Sequence, residues 1–241
     1  MHGTPDNPTP ACILAGGLSA RLRAVAGDLP KPMVPVAGRP FLLHLLEHLA
    51  SAGFGRFILA VCYRAEVIQE FFGDGSAFGW RIEYSVEPEP LGTGGGLVWA
   101  QPLWGRRALV LNGDTYLPAD WPAMLAAHEA SALPATMAVV RSGRGRRFGR
   151  VRLRAGRVVE FLEKPPGAGA GWINGGAYVL DADALSGRRR GEAFSLERDL
   201  FCSLAGRIGA FPCEGADFAD IGTPESLERF RRIVEARRRK G

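Results

Sequence analysis

No run of about eighteen consecutive apolar residues occurs in the 241-residue chain, so no membrane-spanning helix is expected. The opening MHGTPDNPTP has no apolar leader core; residues 1–10 read as a disordered or extended tail, and the chain as cytoplasmic. Cysteine is scarce. Cys12, Cys62, Cys202 and Cys213 lie far apart with no C-x-x-C pair, as expected of reduced, structural thiols. No internal repeat and no low-complexity linker interrupts the chain. The net charge of +5 comes from arginines gathered in RSGRGRRFGRVRLRAGR and RRIVEARRRKG. Phe148 is the one aromatic among them, too little for a row of stacking platforms, and neither nucleic acid nor membrane is expected as a partner. Two phosphate-binding signatures are also missing. There is no G-K-[ST] ending to a glycine loop and no G-x-G-x-x-G.

Hydrophobic residues make up 46% of the chain, enough for a real core. Residues 11–241 read as one domain, with a first lobe at 11–115 and a second at 116–241. In the first lobe strands alternate with helices: ACILA, RFILAVCY, RIEYSV and RALVLNGD against PFLLHLLEHLASAG, AEVIQEFFG and GGGLVWAQPLW. Pro40 opens the first of these helices, Gly53 stops it, and Leu42, Leu45, Leu46 and Leu49 form its core stripe. The second lobe reads as strands ATMAVVRS, GRVRLR, VVEFLEK, WINGGAYVLD and ADFADIG, with a tight AGR hairpin. Its helices are PADWPAMLAAHEAS, SLERDLFCSLAG and a last one capped by Thr223. The expected class is α/β: a Rossmann-like, mixed but mostly parallel sheet flanked by helices, beside a mixed lobe.

The chemistry starts where ACILA runs into Gly16 and Gly17. Glycines there let backbone N–H groups approach a ligand, and two cations follow, Arg21 and the Lys31 of PKP. Arginine offers a bidentate fork and lysine a compact point charge, a pair suited to a polyphosphate. The prolines beside Lys31 restrict its backbone and lower the entropy lost on binding. One further motif, HLLEH from His44 to His48, matches an inverted zinc-peptidase helix. The leucines between the two histidines explain it better as a core-facing helix.

These stretches, LAGGLSARL with DLPKPMVPVAGRPFLLHLLEHLASAG, resemble the signature of the sugar-phosphate nucleotidyltransferases, over residues 12–232. Ser19 and Ala20 stand where that family carries Gly-Thr, which forfeits one hydroxyl. The resemblance implies the nucleotide-diphospho-sugar transferase fold, with 11–115 as nucleotide lobe and 116–241 as sugar-phosphate lobe. It implies a nucleoside triphosphate and a sugar 1-phosphate as substrates, Mg²⁺ as cofactor, and a monomer or homodimer. Arg21, Lys31, Asp114, Lys164 and Asp220 take the catalytic positions, with Asp114 and Asp220 as metal ligands. Leu14, Ala15, Gly16, Gly17, Arg21, Glu87, Pro90, Gly92, Thr93 and Asn112 fall at nucleotide-binding positions. Gly149, Glu163, Lys164 and Asn174 fall at sugar-phosphate positions.

Glu87 stands where the family touches the base. A carboxylate accepts both adjacent donors of guanine, N1–H and N2–H₂, whereas uracil and thymine offer one donor between two acceptors. GTP is therefore the expected nucleotide, with a solvated loop glutamate as the alternative. The run YSVEPEPLGTGG…INGGAYVL…FSLERDL is most similar to the branch acting on D-glycero-α-D-manno-heptose 1-phosphate for bacterial surface glycans. Mannose-1-phosphate guanylyltransferases, N-acetylmuramate-1-phosphate uridylyltransferases and a non-catalytic sugar-nucleotide-binding subunit are the alternatives.

Overall fold

A computed structural model describes residues 9–17, 22, 27–142, 149–162 and 170–238 of the chain. The apolar run after Thr9 forms β1 (Ala11–Leu14). Pro10 is buried and its carbonyl accepts the Leu109 N–H, so the sheet's bonding begins inside the segment read as a tail. A short antiparallel pair, β2 (Pro35–Val36) and β3 (Arg39–Pro40), turns through Ala37 and Gly38, both at positive φ. Pro40 then caps α1 (Phe41–Ser51), whose Leu42, Leu45, Leu46 and Leu49 are fully buried. β4 (Arg56–Val61), α2 (Ala65–Phe72), β5 (Arg81–Val86), α3 (Gly92–Ala100) and β6 (Arg107–Asn112) continue the alternation. After β7 (Thr115–Tyr116) and α4 (Trp121–Ser131), the second half supplies β8 (Ala135–Ser142), β9 (Arg150–Arg154), β10 (Arg157–Leu162) and β11 (Gly171–Asp181). It ends with β12 (Ile208–Pro212), β13 (Ala219–Asp220) and α5 (Pro224–Arg238).

Among the described residues one nine-stranded sheet runs in the order β5-β4-β1-β6-β11-β8-β12-β10-β9. The first four strands are mutually parallel, β11 is antiparallel to β6 and β8, and β12 lies parallel to β8. The sheet is therefore mixed. Successive side chains point to opposite faces and feed separate cores. Phe57, Leu59 and Val61 join the cluster under α1, α2 and α5, while Ile58 and Ala60 join the cluster under α3. β1 lies between β4 and β6, so the chain leaves it in opposite directions on its two sides. That reversal opens a crevice beyond the strands' carboxyl ends, where open α/β sheets bind ligands.

Two segments depart from the sequence reading. SLERDLFCSLAG forms a π-helical turn at Leu196–Phe201, with the Ser195 hydroxyl accepting the Arg198 N–H at its start, in place of an ordinary helix. β12 was not legible: IGAFP is short, holds a glycine and ends in proline. The hairpin between β9 and β10 turns through Ala155 and Gly156, both at positive φ, as a two-residue turn requires. Arg150, Arg152 and Arg154 alternate along β9 with Val151 and Leu153, and Arg152 pairs with Glu160 at 2.9 Å.

The histidines of HLLEH serve packing. His44 places Nε2 3.0 Å from the Val36 carbonyl, and His48 Nε2 accepts the Trp121 indole N–H at 3.3 Å. All four cysteines are free; burial pushes Cys12 up to about 12 and Cys213 up to about 11, keeping both thiols protonated. Among the described residues no helix is long and apolar enough to cross a membrane.

The glycines of α3 are there for close approach. A Cβ on Gly94 would lie 2.2 Å from the Phe194 ring, and one on Gly95 2.5 Å from the Glu192 carbonyl oxygen. Gly94→Ala is expected to destabilise the fold by about 1–3 kcal/mol through overpacking, read as a lower urea midpoint with unchanged slope. An unchanged midpoint would show that the Phe194 ring yields freely.

Candidate active site

The ends of β1, β4 and β6 surround a cavity of 600 Å³, within the range that takes nucleotide-sized ligands. Leu14, Gly16 and Gly17 line it from β1, and Asn112, Gly113 and Asp114 from β6. Lys31 and Pro32 close one side; Glu87, Pro90, Gly92 and Thr93 form another. Sequence reasoning missed Cys62 and Tyr63, which line it from the end of β4. No motif marks them, although the rule for carboxyl ends of parallel strands would have found them. Ala15 departs the other way. It is fully buried and its N–H goes to the Ala60 carbonyl, so it does not line the cavity. Arg21, Glu163 and Lys164 lie outside the described residues.

Asp114 lines the cavity, whereas Asp220, from a distant segment, is paired beside it without lining the cavity. β7 pairs antiparallel with β13, placing Asp220 opposite Thr115, and the Ile221 N–H donates to the Asp114 carbonyl at 2.9 Å. The Asp114 carboxylate takes the Thr115 hydroxyl on Oδ1 at 3.0 Å and the Lys31 ammonium on Oδ2. Asp220 Oδ2 accepts the Gly222 N–H at 2.9 Å. Two aspartates on paired backbones, one already holding a compact cation at the cavity wall, are an oxygen donor set suited to Mg²⁺. That ion takes one or two carboxylates and completes its shell with phosphate and water. Among the described residues no group of three or more His, Cys, Asp or Glu forms a closed metal cage. The residues present thus fit an ion shared with a ligand.

Glu87 is only 9% exposed, which removes the solvated-loop alternative. Its Oε2 accepts the Leu91 N–H at 3.1 Å, bracing the loop that leads into α3. Oε1 lies against Gly16 and Gly96; a Cβ on Gly96 would approach it to 2.5 Å. Burial raises the Glu87 pKa above the usual carboxylate range, and the Leu91 N–H only partly offsets that. Thr93, read as a nucleotide contact, has its hydroxyl committed elsewhere. It donates to Glu197 at 2.8 Å and accepts the Leu196 N–H at 2.9 Å, fastening α3 to the π-helical turn.

Beneath the cavity a buried hydroxyl joins the two halves. The Gly176 N–H donates to Asn174 Oδ1 at 2.9 Å, which turns Asn174 Nδ2 toward the Tyr178 hydroxyl at 2.7 Å. The Tyr178 hydroxyl also lies in hydrogen-bonding reach of Asn112, whose buried Oδ1 has no partner among the described residues. Burial, with Glu197 and Asp114 nearby, pushes the Tyr178 pKa well up, so its hydroxyl stays protonated. Asn174 therefore turns into this network, while its N–H bonds the Gly149 carbonyl at 2.9 Å.

Comparison with known proteins agrees with this architecture. Residues 10–237 match the nucleotidyl transferase family. A D-glycero-α-D-manno-heptose 1-phosphate guanylyltransferase from Campylobacter jejuni is 37% identical, over 91% of this chain and 97% of that one. A mannose-1-phosphate guanylyltransferase from Mycobacterium tuberculosis is 39% identical over 91% of this chain, which spans only 62% of that protein's length. Among solved structures, HddC from Yersinia pseudotuberculosis, crystallised with GMP-PN, superposes with a TM-score of 0.83 at 32% identity, covering 94% of this chain and 99% of that one. A match of this extent, on a fold and cavity of this kind, settles the broad assignment: the chain belongs to the nucleotidyl transferase family.

Proposed function

We propose that the chain joins GTP to a sugar 1-phosphate, D-glycero-α-D-manno-heptose 1-phosphate, giving the GDP-sugar and pyrophosphate. The observation that carries this reading is a single cavity lined both by the Lys31–Asp114 pair and by the buried carboxylate of Glu87. Cations and metal-type carboxylates suit the phosphates; a buried double acceptor suits guanine. The heptose assignment rests on the C. jejuni relative and its near-complete coverage. Mannose 1-phosphate is the second reading, favoured by the 39% identity of the M. tuberculosis relative.

A sugar phosphate needs no activating base, because its second ionisation falls near pH ~6. Its oxygen attacks the α-phosphorus, the bond from that phosphorus to the β-phosphate oxygen breaks, and pyrophosphate leaves with the electron pair. Both reactants are polyanions, so the task is charge and alignment. Lys31 and Arg21 offset the triphosphate charge, and Lys164 orients the attacking phosphate. Mg²⁺ held by Asp114 and Asp220 supplies further charge neutralisation when bound. Tyr178 keeps Asn112 and Asn174 aligned beneath both.

Pyrophosphate release measured over four nucleoside triphosphates and a panel of sugar 1-phosphates tests the reading. GTP with the heptose 1-phosphate is expected to react fastest, and release from no pair with Mg²⁺ present identifies a non-catalytic binder. Asp114→Asn is expected to abolish turnover while the thermal transition survives; unchanged turnover removes Asp114 from the metal site. Glu87→Gln is expected to lower the preference for GTP over UTP by about 1–3 kcal/mol, on the order of ten- to a hundredfold. The sign of the pH effect follows from the raised Glu87 pKa. The two-acceptor carboxylate exists above that pKa, so GTP affinity falls as pH drops through it, at a higher pH than for an exposed glutamate. Glu87→Gln removes this limb, and a limb that persists in the variant assigns it to another group.

A further inference from the structure

We infer that Lys31 is the built-in counter-cation of the Asp114 carboxylate, suppressing metal binding until a triphosphate draws the ammonium away. The inference deepens the proposed function, since it rests on Asp114 as a metal ligand. Lys31 is otherwise read as a phosphate-binding residue, yet in this structure its ammonium is on Asp114 Oδ2. Both partners are fixed from behind. Lys31 sits at the start of a 3₁₀ turn, Lys31–Met33, between Pro30 and Pro32, and its N–H reaches the Gly17 carbonyl at 3.2 Å. Asp114 is held by the Ile221 N–H on its carbonyl and the Thr115 hydroxyl on Oδ1.

Exposure adds to this. The Lys31 side chain is 14% exposed and that of Asp114 33%, so the ammonium is largely shielded while the carboxylate remains open to an approaching ion. An ion approaching Asp114 without nucleotide must displace the ammonium from Oδ2. With a triphosphate in the cavity, phosphate oxygens offer the ammonium another partner, and Oδ2 is released as charge arrives to replace it. Metal and nucleotide binding are thereby coupled through one side chain, and coupling of this kind acts equally in both directions.

The test is Mn²⁺ binding to the full chain without nucleotide, read from the electron paramagnetic resonance signal of free Mn²⁺. Lys31→Met is expected to bind Mn²⁺ more tightly than the unsubstituted protein, on the order of tenfold. Adding Asp114→Asn is expected to remove that gain. Lys31→Gln serves as a second variant, with circular dichroism confirming that each folds. Equal Mn²⁺ affinity with and without Lys31, or a gain that survives Asp114→Asn, overturns the inference. Pyrophosphate release from the unsubstituted protein is measured alongside. Turnover without a gain in Mn²⁺ affinity removes this role of Lys31 and leaves the transferase reading standing. A gain without turnover on any substrate pair does the reverse.

Discussion

The two-residue ladder between β7 and β13 is the constraint on which the site depends. It carries Asp220, near the end of the chain, to the backbone of Asp114 in the middle. So short a ladder has few bonds of its own, and α5 supports it from outside. Phe230 packs on Tyr116 with ring centroids 5.0 Å apart, and the Arg237 guanidinium lies over the Tyr116 ring at 5.0 Å while bonding its hydroxyl. Phe230 also meets Phe41 of α1, so the helix after the lysine turn and the last helix share one core. The geometry of two acidic side chains is thus set by aromatic packing on the far side of the strand pair.

Around that constraint the cavity is built from groups with double duties. Glu87 offers a carboxylate to the cavity while one oxygen braces its own loop. Lys31 belongs to the phosphate loop by position and to Asp114 by contact. Thr93 lines the cavity, yet its hydroxyl ties α3 to the π-helical turn. Each such group links the shape of the cavity to the stability of its wall, so substitution at any of them alters both.

Much of the architecture was legible because it follows local periodicity. The leucine stripe of α1, the apolar β1, β4 and β6, and the cap at Thr223 are readable from spacing and terminal residues alone. β12 was not, because a five-residue strand with glycine and a terminal proline has no pattern of its own; its place is set by β8 and β10 on either side. The site shows the same division. Residues in motifs, Lys31, Glu87 and Asp114, are found from sequence, whereas Cys62, Tyr63 and Tyr178 owe their places to tertiary approach. The glycine run at 94–96 was readable as glycine but not as to reason. Phe194 and Glu192, roughly a hundred residues onward, exclude a side chain at Gly94 and Gly95, and Glu87 excludes one at Gly96.

The distance in sequence between Asp114 and Asp220 also governs when their two strands can pair during synthesis. Early strands can pair as they leave the ribosome, and the β9–β10 hairpin closes locally, but β7 waits for a partner made more than a hundred residues later. A nascent chain that stops short of β13 therefore lacks both Asp220 and the partner strand of β7, and the pairing that sets Asp220 beside Asp114 forms only once that segment has been made.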